Sequence, residues 1–309
     1  MQVLHNENIN ITRKLISALI AEKVNPHLII SSSTQEEQDN LYGKSKRICR
    51  EMLANWAKEN NAKFTGMVIP NVFGPFGKPN YNSVVATFCY KLTHGEVPQI
   101  IVDSSIKLIY VNDLCKEILQ VIKNGSSQNP YLVKHNVEIK VSELLKLLNY
   151  YKETYFDKQI IPYIGSYYEQ CLFNTFACYI DHKNFYPKLL TPQEDARGIF
   201  FESIKLDRAG GQVSFSTTKS GITRGNHYHT RKFERFLVIK GQAKLQLRRI
   251  GTNEVMDFII DADKQPGFVD MPIWFSHNIT NIGNDILYTI FWINELYNPA
   301  DGDTFYEKA

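Results

Sequence analysis

No stretch of this 309-residue chain comes near the roughly 18 consecutive apolar residues that cross a bilayer, and the polar start Met1-Gln-Val-Leu-His-Asn-Glu-Asn8 has neither the basic nor the apolar region of a secretory leader. A cytoplasmic protein without membrane insertion is expected. Cysteine is scarce: Cys49, Cys89, Cys115, Cys171 and Cys178 are widely spaced and form no CxxC pair. That pattern excludes a disulfide framework and points to reduced thiols. Excess charge is also lacking. The formal net charge is +3, and no Lys/Arg stripe interleaved with aromatics occurs, so no nucleic-acid partner is expected. Despite 17 glycines there is no GxGxxG or GxxGxxG turn. Such a turn lets backbone amides and a helix N-terminus hold a dinucleotide pyrophosphate.

What is present is an ordinary globular composition, 43% hydrophobic and 22% charged, long enough for two cores. The first half alternates helical and strand patterns: a helix through Ile11 to Ala21, an apolar run at His27 to Ile30, a helix through Ser45 to Lys58, and a strand near Thr65 to Ile69. This alternation predicts an α/β unit with a parallel sheet. A further amphipathic helix is expected over Val141 to Tyr155. Ser166-Tyr-Tyr-Glu169 reads as a capping box opening a helix that runs to about Cys178. After Tyr186-Pro187 the pattern turns to short alternating strands between Gly, Asp and Asn turns, such as Gln212-Val-Ser-Phe-Ser and Phe236-Leu-Val-Ile. The expected domains are 1–187, mostly α/β, and 188–309, antiparallel all-β.

The sharpest signal lies in the second region. Gly221 is followed after five residues by His227-Tyr-His229, after four more by Glu234, and after six more by Gly241. Further on stands Gly267-Phe-Val-Asp-Met-Pro272-Ile-Trp274-Phe-Ser-His277. Residues i and i+2 of a strand share a face, so His227 and His229 project together, and Glu234 and His277 approach from other strands. Three imidazoles and a carboxylate suit a borderline divalent ion with coordination positions left for water or substrate. Zinc is the expected ion. The spacing resembles the two motifs of the cupin superfamily, with Trp274 where the family's glycine usually follows the proline, and implies a cupin β-barrel (jelly roll). His94, His135 and His182 are read as solvated loop histidines.

Tyr42-Gly-Lys-Ser-Lys46 places a phenol and an ammonium one helical turn apart, shortly after the strand-like Leu28-Ile-Ile-Ser-Ser-Ser33. Pro70-Asn-Val-Phe-Gly-Pro75 and Ile109-Tyr-Val-Asn-Asp-Leu114 follow. Together these segments resemble the extended short-chain dehydrogenases that act on nucleotide sugars, with a partial Rossmann-like fold. The resemblance implies that Tyr42 donates the proton, that Lys46 tunes it and contacts the ribose, that Ser33 bonds the substrate carbonyl, and that Asn71 contacts the cofactor. Measured against that fold, the chain is expected to start about 60 residues into the domain.

A dehydrogenase-like half joined to a metal cupin, with Gln38-Asp-Asn-Leu-Tyr-Gly-Lys-Ser-Lys46, Lys78-Pro-Asn80-Tyr and Gly221-Ile-Thr-Arg-Gly-Asn-His-Tyr-His229, is similar to the bifunctional capsular polysaccharide enzymes of staphylococci and their relatives. That resemblance implies a UDP-linked 4-keto-6-deoxy sugar as substrate, C3 epimerisation by the cupin, NADPH-dependent reduction of the C4 ketone by the other half, and a homodimer. It also implies substrate contacts at Asn80 and at Arg197, within a segment similar to the opening strand of dTDP-sugar 3,5-epimerases. Tyr228, Lys232 and a metal-bound water are candidate proton-exchanging groups. Without a glycine-rich turn the reductase activity is expected to be lost or greatly weakened. Two alternatives stay open at this level: a non-catalytic sugar-nucleotide-binding or assembly subunit with a structural metal, and a cupin dioxygenase, which bound iron would favour over zinc.

Overall fold

The computed structural model describes residues 2–125, 127–191, 193–195, 198–200, 204–207, 210–295 and 298–309. The first half carries α1 (Gln2–Glu22), β1 (Leu28–Ser33), α2 (Leu41–Glu59), β2 (Phe64–Ile69), β3 (Asn71–Phe73), α3 (Val84–Thr93), β4 (Ser105–Tyr110), α4 (Val111–Asn124), β5 (Gln128–Leu132) and β6 (Val137–Lys140). All but α3 belong to one compact unit, Met1–Gly74 with Ile100–Glu143. Its parallel sheet has the order β1-β2-β5. Strand alternation sends Leu28, Ile30 and Phe64 into a cluster with Leu19, Leu53, Trp56 and Ala57 of α1 and α2. The neighbouring positions Ile29, Met67 and Ile69 join Leu114 and Val121 of α4. Both faces of the sheet are therefore covered, as expected for a parallel sheet.

The connection from β1 to α2 is one 3₁₀ turn, Thr34–Glu37, opened by Ser33, whose hydroxyl accepts the Gln35 N–H at 3.2 Å. Helix α2 starts earlier than expected because Asn40 caps it, its side chain accepting the Gly43 N–H at 2.7 Å. Glycine is required at 43: a Cβ there would sit 1.9 Å from the Gln35 carbonyl oxygen, where the turn crosses the helix. The buried Glu36 of that turn binds Arg50 at 2.7 Å and accepts the Ser32 hydroxyl, locking the turn to the helix. Burial opposes ionisation of Glu36, but Arg50 and Ser32 outweigh it and hold its carboxyl below the usual range.

The second unit, Pro75–Gln99 with Leu144–Ala309, joins α3 to the rest of the chain. It contains most of α5 (Val141–Tyr151), then α6 (Tyr167–Ala177), α7 (His182–Phe185), β7 (Lys188–Leu189), β8 (Gln193–Asp195), β9 (Gly198–Phe200), β10 (Gln212–Thr218), β11 (Thr223–Tyr228), β12 (Glu234–Lys240), β13 (Gln242–Arg249), β14 (Val255–Asp261), β15 (Gly267–Met271), β16 (Phe275–Asn281), β17 (Leu287–Ile293) and β18 (Phe305–Tyr306). Two antiparallel five-stranded sheets, β10-β17-β12-β15-β7 and β14-β13-β16-β11-β18, enclose buried Leu237, Leu245, Leu247, Val269, Met271 and Ile279. The division expected at 187/188 lies within this unit.

The helix expected to reach Tyr155 ends at Tyr151 and continues as a π-helical turn, Lys152–Asp157. The wider turn brings Tyr155 against Phe173 and Phe233, and its hydroxyl donates to Asp270 at 2.5 Å. Asp270 also binds Arg235 through two bonds of 2.7 and 2.9 Å, both residues being fully buried. His182 departs from its expected solvated state. It is 5% exposed, edge-on to Phe275 at 4.9 Å, and burial pushes its pKa down to about 4. His94 is exposed as expected, stacked on Tyr90. Among the described residues no helix is long and apolar enough to cross a membrane.

Candidate metal centre

β11 delivers His227, β12 opens on Glu234, and β16 delivers His277, which lies opposite His227 in the strand register. His229 stands just past β11. One ligand atom from each of the four residues lies within 4.8 Å of the other three. Nε2 of His229 and Nε2 of His277 are each 3.2 Å from Oε2 of Glu234. These three buried atoms have no hydrogen-bond partner elsewhere among the described residues. The opposite ring nitrogens are engaged: Nδ1–H of His229 donates to the Asp303 carbonyl, and Nδ1–H of His277 donates to the Phe275 carbonyl at 3.1 Å.

Those bonds fix the tautomer that turns each Nε2 lone pair toward the centre. Imidazole lone pairs and a carboxylate oxygen thus converge on one point, a donor set that suits a divalent cation. Burial pushes His227 down to about 4, with the His277 and His229 rings adding to the effect, so it is a neutral donor at pH 7.

Trp274 adopts φ 62°, the left-handed region that glycine favours, at the position where the motif's glycine was missing. Its N–H donates to the His229 carbonyl at 2.8 Å. Its ring stacks on Tyr228, which stacks in turn on Phe305 at 5.3 Å. The alternation that turns His227 inward leaves Tyr228 in this aromatic stack. Lys232 is buried, and its ammonium donates to the Thr304 hydroxyl at 3.2 Å. Two residues that sequence reasoning missed come from late in the chain: Asp303, whose carbonyl bonds His229, and Thr304, whose hydroxyl bonds Lys232. Arg197 lies outside the described residues.

In the first unit the structure brings Tyr42 and Lys46 together, the ammonium lying 5.8 Å from the ring centroid and donating to the Ser31 carbonyl at 3.2 Å. Asn8 of α1 donates to the Ser45 hydroxyl at 3.0 Å, bracing the same helix. Ser33 caps the 3₁₀ turn. Asn71 is exposed, and its amide donates to the Lys107 carbonyl at 3.4 Å. Asn80 belongs to the second unit, exposed, with φ 54° and its N–H donating to Thr87.

Residues 2–133 match the NAD dependent epimerase/dehydratase family, and residues 193–305 match the polysaccharide biosynthesis C-terminal domain. Over 281 residues the chain is 34% identical to the UDP-2-acetamido-2,6-beta-L-arabino-hexul-4-ose reductase of Pseudomonas aeruginosa, spanning 90% of this chain and 74% of that protein. The crystal structure of the capsular polysaccharide assembling protein CapF from Staphylococcus aureus is similar with a TM-score of 0.58 and 34% identity, covering 96% of this chain and 80% of that one. CapF with the inhibitor 3-isopropenyl-tropolone gives a TM-score of 0.53 at 30% identity, covering 96% and 83%.

Proposed function

Because the chain belongs to the family of CapF and the UDP-2-acetamido-2,6-beta-L-arabino-hexul-4-ose reductase, we propose that it modifies a UDP-linked 4-keto-6-deoxy-N-acetylhexosamine for capsular or surface polysaccharide. The proposal has two modules divided at 187/188. The cupin barrel epimerises C3; the dehydrogenase-like half reduces the C4 ketone with NADPH, giving UDP-2-acetamido-2,6-dideoxy-L-talose. The observation that supports it most is the convergence of His227, His229, Glu234 and His277 on one centre. We assign zinc to that centre. When bound, a divalent ion there supplies Lewis-acid polarisation of the substrate's oxygens.

The C4 ketone makes the C3 proton acidic, so a base can remove it and return it to the other face. Lys232, buried and hydrogen-bonded to Thr304, is the group we assign to that proton exchange. We assign Arg197 and Asn80 to contacts with the sugar nucleotide. For the reduction we assign proton donation to Tyr42, its tuning to Lys46, the carbonyl contact to Ser33, and a cofactor contact to Asn71. This half also needs a pyrophosphate-binding turn, and none of the glycine-rich kind occurs in these 309 residues. The reductive step is therefore proposed only where that turn is supplied. We also propose a homodimer formed through barrel edges, by fold-level analogy with other cupins.

The test is solvent deuterium exchange at C3 of the 4-keto sugar, followed by NMR with the zinc-loaded chain. Exchange is expected without NADPH and is expected to disappear in His277→Ala, and added NADPH should not be consumed. A metal-loaded chain that gives no exchange would support the non-catalytic binding subunit instead.

A further inference from the structure

We propose that Asp303 is a positioning residue for the metal centre, an inference that rests on reading His227, His229, Glu234 and His277 as metal ligands. Asp303 is far along the chain from the loop that separates His229 from Glu234, yet its carboxylate holds that loop. Oδ1 accepts the Thr230 N–H at 3.1 Å and the Thr230 hydroxyl at 2.6 Å. Oδ2 accepts the N–H groups of Arg231 and Lys232, both at 2.9 Å. Three successive amides thus close around one carboxylate, an anion nest. The same residue's main-chain carbonyl takes the Nδ1 proton of His229. One side chain shapes the connection between two ligands, and one carbonyl fixes the tautomer of the first.

Asp303 is itself held firmly. Its φ of 40° lies in the left-handed region, which aspartate tolerates better than most residues. Arg231, in the loop, binds Glu295 and Asp301, each at 3.1 Å. Beyond it β18 pairs with β11 at His227↔Tyr306 and Tyr228↔Phe305. The Glu307 N–H donates to the Asn226 carbonyl at 2.9 Å, and Arg248 binds the Glu307 carboxylate at 2.6 Å. The segment from Asp301 to Glu307 is tied to β11, to the loop that follows it and to Arg248 of β13, so a change at Asp303 reaches His229 and Glu234 together.

Hydrogen-bond partners that orient metal ligands are worth about 10- to 100-fold in metal affinity. The experiment measures zinc affinity by chelator competition, and the absorption spectrum of the cobalt(II) form, on the full chain and on Asp303→Ala and Asp303→Asn. The alanine variant is expected to bind zinc about 10- to 100-fold more weakly and to show an altered cobalt spectrum. The asparagine variant keeps one acceptor but turns an N–H₂ toward two amide donors, so an intermediate loss is expected. Wild-type affinity together with an unchanged cobalt spectrum in folded Asp303→Ala would overturn the proposal. Should that variant not fold, the same result in Asp303→Asn overturns it. If the unaltered chain takes up no zinc or cobalt, the reading of the four residues as a metal site fails, and this inference falls with it.

Discussion

Asp270→Ala is expected to destabilise the second unit by about 3–5 kcal/mol, the cost of leaving one partner of a buried ion pair uncompensated. Arg235 is 1% exposed; among the described residues it bonds, besides Asp270, the Gln159 carbonyl at 3.1 Å and lies over the face of Phe268 at 3.9 Å. Tyr155 and Tyr186 also donate to Asp270, and burial raises both phenols well above their usual range, so they remain neutral donors. Removing the carboxylate strands a guanidinium and leaves two hydroxyls to bond only each other, at 2.6 Å. Replacing both charges, as in Arg235→Met with Asp270→Leu, should recover most of the loss, because desolvation largely cancels the attraction within such a pair. Urea unfolding of the three proteins distinguishes the cases. A loss below about 1 kcal/mol for Asp270→Ala, the range of exposed pairs, would show that water reaches Arg235. The pair also matters for function: Arg235 follows Glu234 on β12, and neighbouring strand residues face opposite ways. The network therefore grips the strand that carries Glu234, the carboxylate of the proposed metal site.

Glu234→Ala is expected to weaken zinc binding by on the order of hundredfold or more. Four-ligand zinc sites hold their ion with about 10–16 kcal/mol. Losing one of four ligands removes on the order of a quarter of that, and about 1.4 kcal/mol is a factor of ten. Glu234 is also the only acid in the cluster, facing His229 and His277 at 3.2 Å, so its loss leaves three neutral imidazoles to hold a dication. Competition with a chelator of known affinity reads the change. Equal affinity in the variant would place the ion elsewhere.

The clustering of His227, His229, Glu234 and His277 could be read from the sequence because it follows from local geometry. The two-residue spacing sets His227 on β11 beside His229 just past its end, and Glu234 and His277 each fall on a strand. The order of an α/β region followed by antiparallel strands was legible for the same reason, since each element declares its own period. What stayed hidden depends on distant partners. Nothing near Asp303 in the sequence announces that its carboxylate meets the amides of Thr230, Arg231 and Lys232. Arg235 and Asp270 occupy strand positions where charge usually meets water, and only the folded chain shows Tyr155 and Tyr186 covering them. His182 looked like a loop histidine, and a short helix packed against Phe275 removed it from solvent. Trp274 was visible as a departure from the glycine of the motif, but its stacking on Tyr228 and Phe305, which accompanies the left-handed backbone, was not.

Three imidazoles and one carboxylate are proposed to meet at a single ion. X-ray absorption at the zinc edge of the purified, zinc-loaded chain tests this directly. Imidazole nitrogens at about 2.0–2.1 Å with one or more oxygens at a similar distance are expected, and imidazole scattering should diminish in His229→Ala. Sulfur scattering at about 2.3 Å, the distance of a thiolate ligand, or an all-oxygen shell without imidazole, would contradict it.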